Sequence, residues 1–221
     1  MKILFHDVIQ YSNAPREIKS PALAEMISLT GPVTIIFDKP YPINAIGIGN
    51  TDGVNFTVTF NDANNTVFQF QFTENGLYVM DKTVSASMIT VASNATYIGR
   101  IGAGLGVRIP TAIAKEPSFH STAEPRVTLS GQAIPGAGGY NYRAVSLDSR
   151  YKIGELAMNE IKSGYKYTGM GYPFFIDLSV ESYKLPFSRL YACERNQRQM
   201  SFEGGIRRFL YSRRFEFEER F

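Results

Sequence analysis

The chain has 221 residues, 44% hydrophobic and 19% charged, enough for one large or two smaller packed domains and too apolar for a disordered chain. Lys and Arg number 23 against 20 Asp and Glu, and a bias of +3 is too small to make nucleic acid the default partner. One cysteine, Cys193, excludes an intrachain disulfide, two histidines argue against a His/Cys zinc site, and no apolar run approaches the roughly 20 residues that span a bilayer.

The opening MKILFHDVIQ carries His6 and Asp7 where a signal peptide needs an unbroken apolar stretch, so synthesis in the cytoplasm is expected. Ser20–Ile27 (SPALAEMI) fits a short helix with Ser20 as N-cap and Pro21 at the first position, or an irregular lead-in. Thr34–Phe37 reads as a compact strand ended by Asp38-Lys39-Pro40, and Ala45–Gly49 as a second one. Asn50-Thr51-Asp52-Gly53 is a turn. Asn55–Phe60 alternates, with Phe56, Val58 and Phe60 on one face. Val67–Phe72 alternates again, with Phe68, Phe70 and Phe72 opposite Gln69 and Gln71. The polar run Asn61–Asn65 between them predicts a β-hairpin. Tyr78–Met80, Met88–Val91 and Tyr97–Ile101 are further short strands, and turn signals about every 10 residues are the rhythm of a sandwich or jelly roll.

From Pro110 to Pro125 the pattern lapses into a Pro/Ala/Ser/Thr-rich connector. Strands resume at Arg126–Ile134, and Pro135–Gly139 is a tight loop before Tyr142–Tyr151. Ile153–Ile161 is the best helix, with Ile153, Leu156, Ala157 and Ile161 on one face and Gly164 as its C-terminal cap. Pro173–Val180 and Leu190–Cys193 are strand-like. Phe209–Phe221 is a long alternating strand that belongs either in the middle of a sheet or at an edge completed by a neighbouring subunit. The expected fold is therefore mainly β: an N-terminal jelly-roll β-sandwich (1–110), a connector (111–125) and a β-rich C-terminal assembly region (126–221) with one short helix.

No reaction chemistry stands out. Gly99, Gly102, Gly104 and Gly106 (GRIGAGLG) miss the G-x-G-x-x-G and Gly-Lys-Ser/Thr spacings, so close backbone contact explains them better than a phosphate. His6 and His120 lie in no nucleophile motif, and no carboxylate pair is singled out. No catalytic residue, metal site or cofactor is expected. Asn50, Asp52, Asn61, Asp62 and Asn64 put oxygen ligands into two loops at one end of the predicted sheets, where they fit calcium, a sugar or ordinary turn chemistry. The sequons at Asn55, Asn64 and Asn94 fall in polar turns. Charge is uneven: residues 1–125 carry 8 basic and 10 acidic side chains, residues 126–221 carry 15 and 10, and 11 of those 15 are Arg. Arg207, Arg208, Tyr211, Arg213, Arg214, Phe215 and Phe217 form a candidate interface. Glu203, Glu216, Glu218 and Glu219 among them favour ion pairing across strands or subunits over nucleic acid.

Two stretches carry a resemblance. Gly31–Phe60 (GPVTIIFDKPYPINAIGIGNTDGVNFTVTF) resembles the discoidin-like, galactose-binding-type jelly roll. Segments between Glu116 and Phe221 resemble virion structural proteins of tailed bacteriophages; they include Ile134-Pro135-Gly136-Ala137-Gly138-Gly139, Gly171-Tyr172-Pro173-Phe174-Phe175 and Arg208-Phe209-Leu210-Tyr211-Ser212-Arg213. The resemblance implies a non-enzymatic tail-tip, baseplate or collar component. Its partners would be copies of itself in a symmetric oligomer and neighbouring tail proteins, with a glycan as a possible ligand. It also implies residence in the virion tail. A carbohydrate-binding module for host attachment and a capsid decoration protein are the alternatives.

Overall fold

The computed structural model describes residues 2–20, 25–62, 65–109, 113–114, 118–121, 126–127, 133–134, 141–149, 153–168, 173–178, 189–194, 203–204 and 210–219. Its strands are β1 (Lys2–Asp7), β2 (Ile27–Ser28), β3 (Val33–Thr51), β4 (Phe56–Asp62), β5 (Asn65–Phe72), β6 (Gly76–Ala92), β7 (Tyr97–Arg108), β8 (Ile113–Ala114), β9 (Ser118–Ser121), β10 (Arg126–Val127), β11 (Ala133–Ile134), β12 (Asn141–Asp148), β13 (Ile153–Gly154), β14 (Phe174–Asp177), β15 (Arg189–Glu194), β16 (Glu203–Gly204), β17 (Leu210–Ser212) and β18 (Arg214–Glu219). Among the described residues two α-helices, α1 (Arg16–Lys19) and α2 (Glu155–Thr168), and one 3-10 turn (Val8–Tyr11) accompany them, so the fold is mainly β as the composition predicts.

Eleven strands follow one another in a single antiparallel sheet, in the order β5-β4-β6-β3-β7-β1-β14-β15-β18-β12-β8, with β2 added beside β7 and β9 beside β12. The sheet doubles back because β3 and β6 are long and bent. The early half of β3 pairs Val33–Ile36 with Met88–Val91, and its late half pairs Ala45–Ile48 with Gly76–Val79. The register slips between Ile36 and Tyr41 and again between Ile43 and Ala45. Asp38-Lys39-Pro40, expected to end a strand, instead bends one within its ladder, since slipped register absorbs a corner without breaking the pair. One layer then carries β5, β4 and the late half of β6; the other carries the late half of β3, β7 and β1.

The main core fills the space between these layers. Phe56, Val58 and Phe60 point inward from β4, as their alternation predicts, and meet Ile35, Ile89 and Val91 as well as Ile46, Ile48 and Ile101. A second core lies under α2, where Ile3 and Phe5 of β1, Phe174 and Ile176 of β14, and Phe215 and Phe217 of β18 enclose Met158 and Ile161. β1 joins the two regions, because one edge pairs with β7 and the other with β14. The sheet curls so strongly there that Phe175 of β14 reaches across to the backbone of Gly47 and Gly102. Glycines on β7 thus serve close backbone approach.

Of the Ser20–Ile27 segment, residues 21–24 lie outside the described residues, Ser20 is the C-cap of α1 and Ile27 lies in a strand, so a helix reaching Ile27 is not formed. Two expectations for α2 are corrected. Ile153 pairs with Tyr211 in a strand before α2 begins. Leu156 is 82% exposed, while Gly164 sits inside the helix against Phe5 and does not cap it. The buried face runs through Met158, Ile161 and Gly164 because glycine lets that side approach β1 most closely.

Candidate functional site

The acidic and amide residues of the two loops do not converge. Asn50 and Asp52 precede β4, whereas Asn61 and Asp62 close it, about 20 Å away at roughly 3.3 Å per residue. The expectation that both loops share one end of the sheet is therefore corrected. Asn50 and Asn55 adopt left-handed backbone angles, φ 49° and 59°, which Asn tolerates. The Asp52 carboxylate is taken up by the neighbouring turn: Oδ1 accepts from Thr96 N at 2.9 Å and Tyr97 N at 3.3 Å, and Oδ2 accepts from the Thr96 hydroxyl. These donors, the Thr96 hydroxyl first, hold its carboxyl below the usual range. Asn61 is buried and accepts from Thr66 Oγ1 at 3.1 Å, and Asp62 stands opposite Asn65 in the β4–β5 ladder. Asn64 lies outside the described residues.

The C-terminal group is divided. Arg207 and Arg208 lie outside the described residues; the Tyr211 backbone pairs with Ile153 and Gly204. β18 is a central strand between β15 and β12, so Phe215 and Phe217 are core residues, not contact residues. The apolar alternation that marked them as an interface serves the packing of α2. Arg214 is exposed, donates from Nε to Ser146 Oγ at 3.0 Å and pairs with Glu216 on its own strand at 3.1 Å. Arg213 lies over the Phe215 ring at 4.7 Å, and its backbone N–H donates to Ser149 Oγ at 2.7 Å.

Two surface features were not singled out from the sequence. A hollow of about 480 Å³ is lined by Tyr11, Ser12, Asn13, Ile36, Phe37 and Asp38. Tyr11 stacks on Tyr41 with ring centroids 5.8 Å apart and an angle of 17°. Lys39 Nζ lies 5.4 Å from the Tyr41 ring, and burial and a hydrogen bond with Asp38 push the Tyr41 hydroxyl above its usual value. Asn13 fixes the wall by accepting from Ile36 N at 2.8 Å. The bulge that bends β3 brings Ile36 and Asp38 beside Tyr11, a long-range arrangement with no local signal.

The second feature is β5, an end strand of the large sheet. Val67, Gln69 and Gln71 are exposed, and Phe68 and Phe70 are half-buried. None of Asn65–Phe72 is charged or proline. The alternation predicts the hairpin; the strand order shows that β5 ends the sheet among the described residues.

No family model, curated protein or solved structure matches the chain. Among the described residues no helix is long and apolar enough to cross a membrane.

Proposed function

We propose that this chain is a structural protein of a tailed bacteriophage particle, at the tail tip, baseplate or collar, and that it works by protein–protein contact within a symmetric oligomer. The observation that carries the reading is the β5 edge: eight residues of uncharged strand at the end of the sheet. Strand edges are templates for addition of a further strand, and monomeric proteins usually guard them with charge, proline or cover. The segments quoted above from Glu116 to Phe221 supply the bacteriophage part of the reading. Antibody labelling of particles produced by the source of the chain tests it. Tail-localised signal is the expected result. Signal confined to the head replaces the reading with a capsid decoration protein, and no signal on any particle removes it.

A second reading has its own observation. The Tyr11–Tyr41 pair, with Asp38 and Asn13 beside it, joins an aromatic surface to polar side chains, the combination that holds a sugar ring by stacking and hydrogen bonding. Binding on a glycan array that Tyr11→Ala abolishes supports host attachment through this hollow; an array without binding removes it.

A further inference from the structure

The inner edge of β5 is satisfied by β4, from Phe56 opposite Phe72 to Asp62 opposite Asn65. Among the described residues no strand pairs with its outer edge. Unpaired N–H and C=O groups at a two-residue repeat are completed by another extended chain. We propose that this partner is the same strand of a second copy, laid antiparallel about a twofold axis at Gln69, so that one sheet runs through the dimer. The inference deepens the assembly reading and rests on it.

The sequence of the strand identifies the occupant. With Gln69 on the axis, Phe68 of one copy stands opposite Phe70 of the other, and Val67 opposite Gln71. Directly opposed residues share a face, so the half-buried phenylalanines meet each other and extend the row formed with Val58 and Phe60. A one-residue slip sets Phe against Gln, so the alternation excludes registers of that parity, and among the remaining ones the axis at Gln69 opposes the two half-buried phenylalanines, Phe68 and Phe70, to each other on both sides over Thr66–Phe72. On the opposite face the positions in register with the middle of β5 carry no charge either. It holds Gln69 and Gln71 on β5, Thr57 and Thr59 on β4, Thr90 and Ala92 on β6, and Thr34 and Ile36 on β3. Two such faces join without like-charge repulsion, which a strand bearing lysine or glutamate would suffer on meeting itself. The contact is isologous and closes at two copies.

The test is sedimentation equilibrium of the full chain from micromolar to sub-millimolar concentration, with Gln69→Lys and Gln69→Glu. Gln69 is exposed, and matching circular dichroism melts establish that both variants fold. The expected result is a dimeric wild type, a monomer for each variant alone, and a dimer again when the two variants are mixed in equal amounts. Like charges meet at the axis in each variant, and opposite charges meet in the mixture. A monomeric wild type, a dimer that survives both single variants, or a mixture that stays monomeric overturns the proposal. Labelling of particles is scored separately. A monomer found in particles overturns the self-pairing and leaves the assembly reading standing; a dimer with the expected charge behaviour that no particle contains does the reverse.

Discussion

The Arg100 guanidinium lies 2.5 Å from the Asp7 carboxylate, and Arg100 is almost fully buried. Nη1 of the same fork donates to the carbonyls of Ile18 and Ser20, each at 3.1 Å, while Asp7 also accepts from Ala103 N and Ile9 N. Burial pushes the Asp7 carboxyl upward, and Arg100 with the two N–H groups opposes it. One side chain from β7 thereby fastens the end of β1 to the turn after α1. Arg100→Ala leaves a buried carboxylate without its cation, and the expected loss is about 3–5 kcal/mol in denaturant unfolding. Arg100→Lys keeps the charge without the fork and is expected to lose less. A loss under about 1 kcal/mol for Arg100→Ala refutes this role.

Gly164→Ala reverses a usual rule. In an exposed helix interior the change stabilises by about 1 kcal/mol. Here a Cβ on Gly164 meets Phe5 at 2.5 Å, including its less movable Cβ at 2.8 Å, so the substitution is expected to destabilise by about 1–3 kcal/mol. Leu156→Gln, on the exposed side of the same helix, is expected to stay within about 0.5 kcal/mol of the parent. The opposite order in thermal unfolding places the buried face of α2 elsewhere.

β4 and α2 show where a local pattern decides burial and where it does not. Phe56, Val58 and Phe60 announced a strand and its buried face because alternation is local and its period is that of a strand. The face of α2 escapes the hydropathy pattern because Leu156 is apolar and Gly164 has no side chain: hydropathy ranks them opposite to their burial, and the close approach of Phe5 decides. Asp38-Lys39-Pro40 carried genuine turn chemistry, yet the ladder between β3 and β6 continued past it in shifted register. The Tyr11–Tyr41 hollow and the end position of β5 depend on pairings between distant segments, which no window of the sequence contains. Asp52 was visible as a turn residue, but its Thr96 partner lies 44 positions away.

The contact between Phe175 and Gly47 predicts non-additive mutations. A Cβ at Gly47 clashes with carbons of the Phe175 ring, and one at Gly102 lies 3.0 Å from it. Gly47→Ala is expected to cost about 1–3 kcal/mol through overpacking. Phe175→Leu keeps the site apolar and vacates part of the ring volume. In the double variant the two losses should sum to less than their separate values, by about 0.5–3 kcal/mol. Strict additivity in denaturant titrations separates the two residues and removes the curled sheet as their meeting point.

Asp52 predicts how stability responds to acid. Its folded-state carboxyl is held below 3.8 by the Thr96 hydroxyl and the neighbouring N–H groups. A depressed value means that the folded state favours the carboxylate, so the contribution is present above about 3.8 and fades as pH falls through the folded value. Wild type should therefore melt above Asp52→Asn near neutral pH, with the gap closing at pH values below the ordinary carboxylate range. Thr96→Val removes the hydroxyl donor and should narrow the same gap from the other partner. The side chain is exposed, so added salt screens the negative charge but leaves the three hydrogen bonds largely intact. If the gap instead widens on acidification, the Asp52–Thr96 hydrogen bonds do not favour the ionised form and the fastening of the two turns has another origin.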